Sequence, residues 1–394
     1  MAKIAARIAE LTGEGALAVF SRAQELEKQG RSIIHLELGE PDFHPAAPVV
    51  DALRAAVANG RDRYVATRGI PPLRAAIADY LKRTRKLEVA AEQVLIAPGC
   101  KMALSLAMMA LIEAGDEVLY PDPSFPIYPS FSRGLGAKAV SYALREQNRF
   151  QPDIAEIAST ITSRTRVLIF NSPNNPTGTV FSESTIEKLA RLATKHDLWV
   201  IADEIYARIL FGGEYQSIWA LPGMAERTVI IDGFSKSFAM TGWRLGYAVA
   251  PKRVIDALDM LVLNTFTCTA EFTQVAAIEA LNDCTNAVPA MVEEYRRRRD
   301  VFVERLNQIP GFRCQSPDGA FYAWVNIEDT GKTAEEVQRI LLEEVGVAGI
   351  AGAAFGVEGQ RYLRFSLANA MHLLEDAVER MERASMHWRA AVAR

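Results

Sequence analysis

The chain has 394 residues, 49% of them hydrophobic and 23% charged, with a formal net charge of −4 and a pI near 5.9. That length exceeds one small core and points to two domains of ordinary globular composition. The acidic balance argues against a nucleic-acid surface, and no apolar run is long enough to span a bilayer. Cys100, Cys268, Cys284 and Cys314 are far apart and form no CxxC, and the five histidines form no HExxH. Neither a disulfide scaffold nor a metal site is expected, and a reducing cytoplasm fits.

The N-terminal stretch MAKIAARIAELTGEGALAVF is amphipathic, carries Glu10 and Glu14, and lacks a signal-peptide core. It reads as an N-terminal arm or helix. Further on, short apolar runs (QVLIA, EVLYP, RVLIFN, LWVIAD, TVIID, LGYAVA) alternate with helical stretches. Among the latter, SESTIEKLARLATKHD is the clearest, with Ser182 as N-cap and apolar residues at Ile186, Leu189, Ala190 and Ala193. Continuous apolar strands between helices imply a mostly parallel sheet covered on both faces. Later the pattern changes. A long charged helix (AVPAMVEEYRRRRDVFVERLNQI) precedes strand-like FYAWVNI, a helix near TAEEVQRILLEE, strand-like RYLRFSLA and a closing helix. The basic cluster Arg296 to Arg299, flanked by Glu293, Glu294 and Asp300, reads as a solvated helix face with local ion pairs. The expected fold class is therefore α/β. A large domain, 48–284, holds the sheet, and a smaller α+β domain combines 285–394 with the N-terminal arm and adjoining residues, 1–47.

In such sheets ligands collect at the carboxyl ends of the strands. In IAPGCKMAL a strand ends, Pro98 and Gly99 turn, and a helix opens near Cys100, leaving backbone N–H groups free for an anion. Asn175 follows another strand in NSPNNPTG, a stiff loop that is by itself only a turn. Asp203 and Glu204 directly follow a buried strand, where a carboxylate is costly unless paired, although a helix cap would also place one there. Tyr206 lies three residues on. In VIIDGFSKSFAMTGWRLGYAVAP, Lys236 sits between two serines with Arg244 eight residues later. It is either a solvated turn lysine or an amine desolvated at the edge of a core, able to form a Schiff base. One ligand would use this whole set, a phosphorylated pyridine aldehyde.

SPNNPTG, ADEIY and SKSFAMTGWRLGY, in this order and spacing, resemble the class I/II aminotransferases of the pyridoxal-phosphate fold-type I superfamily, and most nearly the bacterial aspartate-aminotransferase-like branch. The resemblance runs from LELGEPDF to RYLRFSLA. It implies pyridoxal 5′-phosphate as cofactor and Lys236 as its Schiff-base lysine. Asp203 would pair with the pyridine nitrogen, and Tyr206 and Asn175 with the phenolic oxygen. Arg244 and the backbone of Gly99, Cys100 and Lys101 would hold the phosphate, and Phe125 would stack on the ring. Tyr64 would reach the phosphate of a neighbouring subunit, which makes the expected enzyme a homodimer. Arg364, with the backbone N–H of Gly39, would clamp the substrate α-carboxylate. Where many relatives carry a phosphate-binding serine, three residues before the lysine, this chain has Gly233, and Ser235 is the candidate substitute.

The implied reaction is ping-pong transamination between an L-amino acid and a 2-oxo acid. Lys101 matches the lysine of GGKQAL in aspartate-type enzymes and is a candidate reader of a distal carboxylate, unless it only faces solvent. No arginine appears in LNTFTCTAEF, where the other aspartate branch carries one, so acidic donors are favoured only modestly. The same scaffold also hosts C–S lyases, decarboxylases and amino-acid oxidases, which would keep Lys236, Asp203 and Arg364. A cofactor-sensing regulator would carry an added N-terminal DNA-binding domain, for which the short segment before LGEPDF leaves no room.

Overall fold

The computed structural model describes residues 3–283 and 286–388; Cys284 lies outside them. A seven-stranded sheet runs in the spatial order Val94–Ala97, Gly246–Val249, Thr228–Gly233, Trp199–Asp203, Thr165–Asn171, Glu117–Asp122, Lys138–Ala143. Only Gly246–Val249 runs against the rest. The predicted apolar runs are these strands, buried at nearly every position, with Arg166 exposed and Tyr120 and Trp199 half-buried. The edge strand Lys138–Ala143 is not among the predicted runs. Lys138 and Ser141 face solvent, and this breaks the apolar signal.

The helix Glu183–Lys195 starts as its sequence predicts, with the Ser182 hydroxyl accepting from the Thr185 N–H at 3.1 Å. The helix Cys100–Leu111 begins directly at the carboxyl end of Val94–Ala97.

A second, four-stranded antiparallel sheet joins Ile350–Ala351, Tyr362–Ser366, Tyr322–Asn326 and Arg313–Cys314. Ile34 and His35 pair in parallel with Val347 and Ala348, tying the early chain to its late part. One apolar cluster unites Ile34, Phe302, Phe321, Phe365 and Trp388 with Tyr206 and Ile209, which follow the large sheet. The two halves therefore meet directly behind the strand end that carries Asp203.

The long helix Ala287–Leu306 departs from expectation at one point of its basic cluster. Arg298 is buried, not solvated. It bonds Asp42 at 2.7 Å and Glu294 at 2.9 Å and lies over the rings of Phe43 and Tyr295. A run of four arginines covers every side of a helix, so one of them must face the core.

A second buried guanidinium anchors the sheet. Arg85 ends the helix Pro71–Arg85 and bonds Glu204 at 2.6 Å and also Asp232. Ser217 completes Glu204 at 2.6 Å, and Tyr247 completes Asp232 at 2.9 Å. Arg85→Met should leave two buried carboxylates unpaired and cost about 3–5 kcal/mol. Urea unfolding would register this as a clear fall in midpoint; an unchanged midpoint would mean the carboxylates are held without Arg85.

Candidate active site

A cavity of about 460 Å³ opens at the carboxyl ends of the parallel strands. Of the residues singled out in the sequence, it brings together Lys236, Asp203, Tyr206, Asn175, Arg244 and Arg364. Gly39, Cys100, Lys101, Phe125 and Ser235 also line it. Tyr64 does not; its ring is 87% exposed elsewhere on the chain.

Lys236 follows the strand Thr228–Gly233 and is part-buried. Its amine donates to the Gly39 carbonyl at 2.5 Å. Desolvation deep in the cavity pulls the amine down to about 8, against a partial upward pull from neighbouring Cys100 and Glu40. Asp203 is the last residue of its strand and is buried. Burial pushes its carboxyl up to about 6, opposed by hydrogen bonds from the Tyr128 hydroxyl at 2.7 Å and the Ile205 N–H at 3.3 Å. Asn171, at the end of the next strand, ties the two strand ends together. Its amide donates to the Asp203 carbonyl at 2.9 Å, and its oxygen accepts from the Asn175 N–H at 2.8 Å.

Arg364 lies on the strand Tyr362–Ser366 and is buried. It donates from Nη1 to Asn175 Oδ1 at 2.9 Å and from Nη2 to the Glu37 carbonyl at 2.6 Å. Tyr322 lies beneath the guanidinium at 4.4 Å, and its hydroxyl shares a hydrogen bond of 2.8 Å with Tyr206. The Nε of Arg364 is buried without a partner among the described residues. A buried donor left open is costly, and a ligand carboxylate would satisfy it.

At the opposite end, Gly99 caps the helix Cys100–Leu111 with φ +88°. A Cβ there would lie 2.3 Å from Arg244 Nη2, so only glycine lets the exposed Arg244 guanidinium approach the helix start. Gly233 has a steric cause of its own. A Cβ would stand 2.6 Å from Gly246 Cα and 2.7 Å from Cys100 Sγ. A serine cannot enter this position unless backbone moves, whereas buried Ser235 already lines the cavity.

Among the cavity residues that the sequence did not single out are Tyr128, Asn171, Tyr322 and Glu14. Tyr128 lies one helical turn from Phe125, and Asn171 ends a predicted strand, so both carried a positional hint. Tyr322 and Glu14 reach the cavity only through tertiary structure.

The chain belongs to the aminotransferase class I and II family, which matches residues 31–381. It is a pyridoxal-phosphate-dependent aminotransferase. The arginine–pyruvate transaminase of Pseudomonas aeruginosa is 39% identical over 373 residues, 94% of this chain and 95% of that one. The aspartate aminotransferase of Pyrococcus horikoshii is 37% identical over 370 residues, 93% of each. The structure of Thermus thermophilus aspartate aminotransferase with maleate matches with a TM-score of 0.93 at 36% identity, over 98% of this chain and 100% of that one. With aminotransferases as its relatives, the lyase, decarboxylase and oxidase readings are not favoured.

The depressed Lys236 amine has a chemical consequence. It is protonated below about pH 8 and neutral above, whereas an ordinary lysine needs a pH of about 10.4. Competitive acetylation of the cofactor-free protein, read by mass spectrometry, should show Lys236 reactivity rising through pH 8 and then flattening while exposed lysines still climb. Titration together with the exposed lysines would contradict the desolvated amine.

Proposed function

We propose that this aminotransferase moves an amino group from an L-amino acid to a 2-oxo acid by a ping-pong sequence in which Lys236 anchors pyridoxal phosphate and carries the proton. The observation behind it is the depressed Lys236 amine in one cavity with buried Asp203 and the open Nε of Arg364. These residues fit the cofactor. The close approach of Arg244 to the start of the helix Cys100–Leu111 suits a phosphate. Buried Asp203 suits a protonated ring nitrogen, and the neutral amine suits an aldehyde.

When bound, the cofactor supplies a carbonyl that takes up the amino group and a ring that draws off an electron pair. Lys236 Nζ, neutral above about pH 8, would take the proton from the substrate Cα and hold it for return. Asp203, whose charged form the Tyr128 hydroxyl favours against burial, would pair with a protonated ring nitrogen. The Asn175 amide and the Tyr206 hydroxyl would hold the phenolic oxygen, and Phe125 would lie against the ring. Arg244, Ser235 and the backbone N–H groups from Gly99 to Lys101 would hold the phosphate. Arg364, with Gly39, clamps the α-carboxylate common to all donors.

Lys101 at the cavity wall, and relatives named aspartate aminotransferase, support an acidic donor of the aspartate type. The enzyme acts in the cytosol as a homodimer. Tyr64, exposed and outside the cavity of its own chain, supports a role in the partner's site. Residues 48–284 form the cofactor-binding domain, and 1–47 with 285–394 form the smaller one.

Mixing the cofactor-loaded enzyme with aspartate and no oxo acid should give pyridoxamine phosphate and oxaloacetate, identified by spectrum and mass. Lys236→Ala should abolish turnover; retained multiple turnover would rule Lys236 out. Arg364→Ala should raise KM for every donor alike, by roughly thirtyfold or more, the cost of losing one side of a buried charged hydrogen bond. A loss confined to acidic donors would place Arg364 at the distal end of the substrate instead.

A further inference from the structure

Lys101 is not a free cation. Its ammonium is paired with the carboxylate of Glu14, which comes from the far end of the chain's topology to line the same cavity. Glu14 occupies the N-cap of the helix Gly15–Lys28, yet its side chain makes no capping bond. A cap would gain stability from an acceptor there, but this carboxylate is turned to Lys101. Its position is fixed by packing, because Gly15 has no room for a side chain; a Cβ would stand 2.8 Å from Ala354 Cβ, on the turn that brings Phe355 to the guanidinium of Arg364. Glu14 is also near enough to act electrostatically on Arg364 and Tyr322.

Resting on the reading of Lys101 as the distal reader, we propose that Glu14 is a specificity-determining residue: an internal carboxylate that holds Lys101 and must be displaced before a dicarboxylic donor can use it. Two consequences follow from charge. A donor's distal carboxylate meets an ammonium already neutralised and an anion that repels it. A cationic side chain meets the opposite arrangement, with Glu14 as its acceptor. Uncharged donors need neither partner. The pair lies at a partly exposed wall, with side chains 48% and 30% accessible, so it can open without a large penalty.

The test compares wild type, Glu14→Gln, Lys101→Met and the double variant in the half-reaction with aspartate, alanine and arginine. Succinate, a dicarboxylate without an amino group, is titrated into the loaded enzyme as a binding readout free of turnover. In Glu14→Gln the kcat/KM ratio of aspartate to alanine should rise about fivefold or more, through KM, the scale of one partly exposed charge pair. Succinate should bind tighter by a similar factor, and arginine should lose ground to alanine. In the Lys101→Met background the gain from Glu14→Gln should shrink, since no ammonium remains to be freed. Unchanged succinate binding together with an unchanged aspartate-to-alanine ratio would overturn the proposal, as would a change shared equally by all three donors. Failure of the wild type to convert any donor would reject the transamination reading separately, because succinate binding still reports on Glu14.

Discussion

Two adjacent strand ends place four ionisable groups out of water, and the site depends on how their charges are separated. Asp203 and Glu204 end one strand; Asp232 and, beyond Gly233, Lys236 end its neighbour. Successive side chains point to opposite faces, so Asp203 looks into the cavity while Glu204 looks back. Left alone, the backward-facing carboxylates would burden the sheet and raise the energy of every anion near them. Arg85 takes both on one guanidinium. That leaves the forward-facing pair governed mainly by burial, which raises Asp203 and lowers Lys236. Burial moves an acid and a base toward each other on the pH scale, which brings both into the range where protons move at neutral pH.

The cavity's charge also defines its ligands. Arg244 stands at one end, Arg364 at the other and Lys101 and Lys236 between them, with Glu14, Glu40 and Asp203 as the acidic groups of the lining. Glu40 is engaged by the Thr241 hydroxyl, and Thr241 in turn accepts from Arg244 through its carbonyl at 2.9 Å. The two arginines therefore have no carboxylate partner of their own within this set. Two anionic groups, held apart by a flat body, match that arrangement. A phosphate and an α-carboxylate on either side of a pyridine ring have this form.

Much of the site was legible in the sequence because its key residues sit immediately after continuous apolar runs. The parallel sheet gathers those positions along one edge, so strand order was not needed to infer that Asn175, Asp203 and Lys236 meet. Arg364 was legible only through resemblance, since it comes from the other sheet. Tyr322 and Glu14 carried no local signal. Tyr322 enters because Tyr322–Asn326 pairs with Tyr362–Ser366, which sets its ring beneath Arg364. Glu14 enters because an N-terminal helix packs across the opening, 87 residues from Lys101 in sequence. The misread residue, Arg298, has the same origin: charge pattern reports which residues can be solvated, while tertiary packing decides which one is not.

Arg364 joins the substrate end of the cavity to the cofactor end. Its Nη1 donates to Asn175, whose backbone N–H in turn donates to Asn171 Oδ1, and the Asn171 amide donates to the carbonyl of Asp203. Its guanidinium plane rests on Tyr322, whose hydroxyl is bound to Tyr206. Gly39 closes this group from above, where a Cβ would lie 2.0 Å from the Tyr322 hydroxyl. A carboxylate arriving at Arg364 would take the open Nε–H, beside the N–H groups that hold Asn175 and the Glu37 carbonyl. Any withdrawal from Asn175 frees Oδ1 and changes how firmly the amide is oriented. Asn175 and Tyr206 are thereby linked to Arg364 through two hydrogen bonds and one aromatic ring. Because every member is buried, each of these contacts is stiffer than its counterpart in water would be. That stiffness keeps the Arg364 guanidinium, Asn175 and Tyr206 in a fixed mutual arrangement.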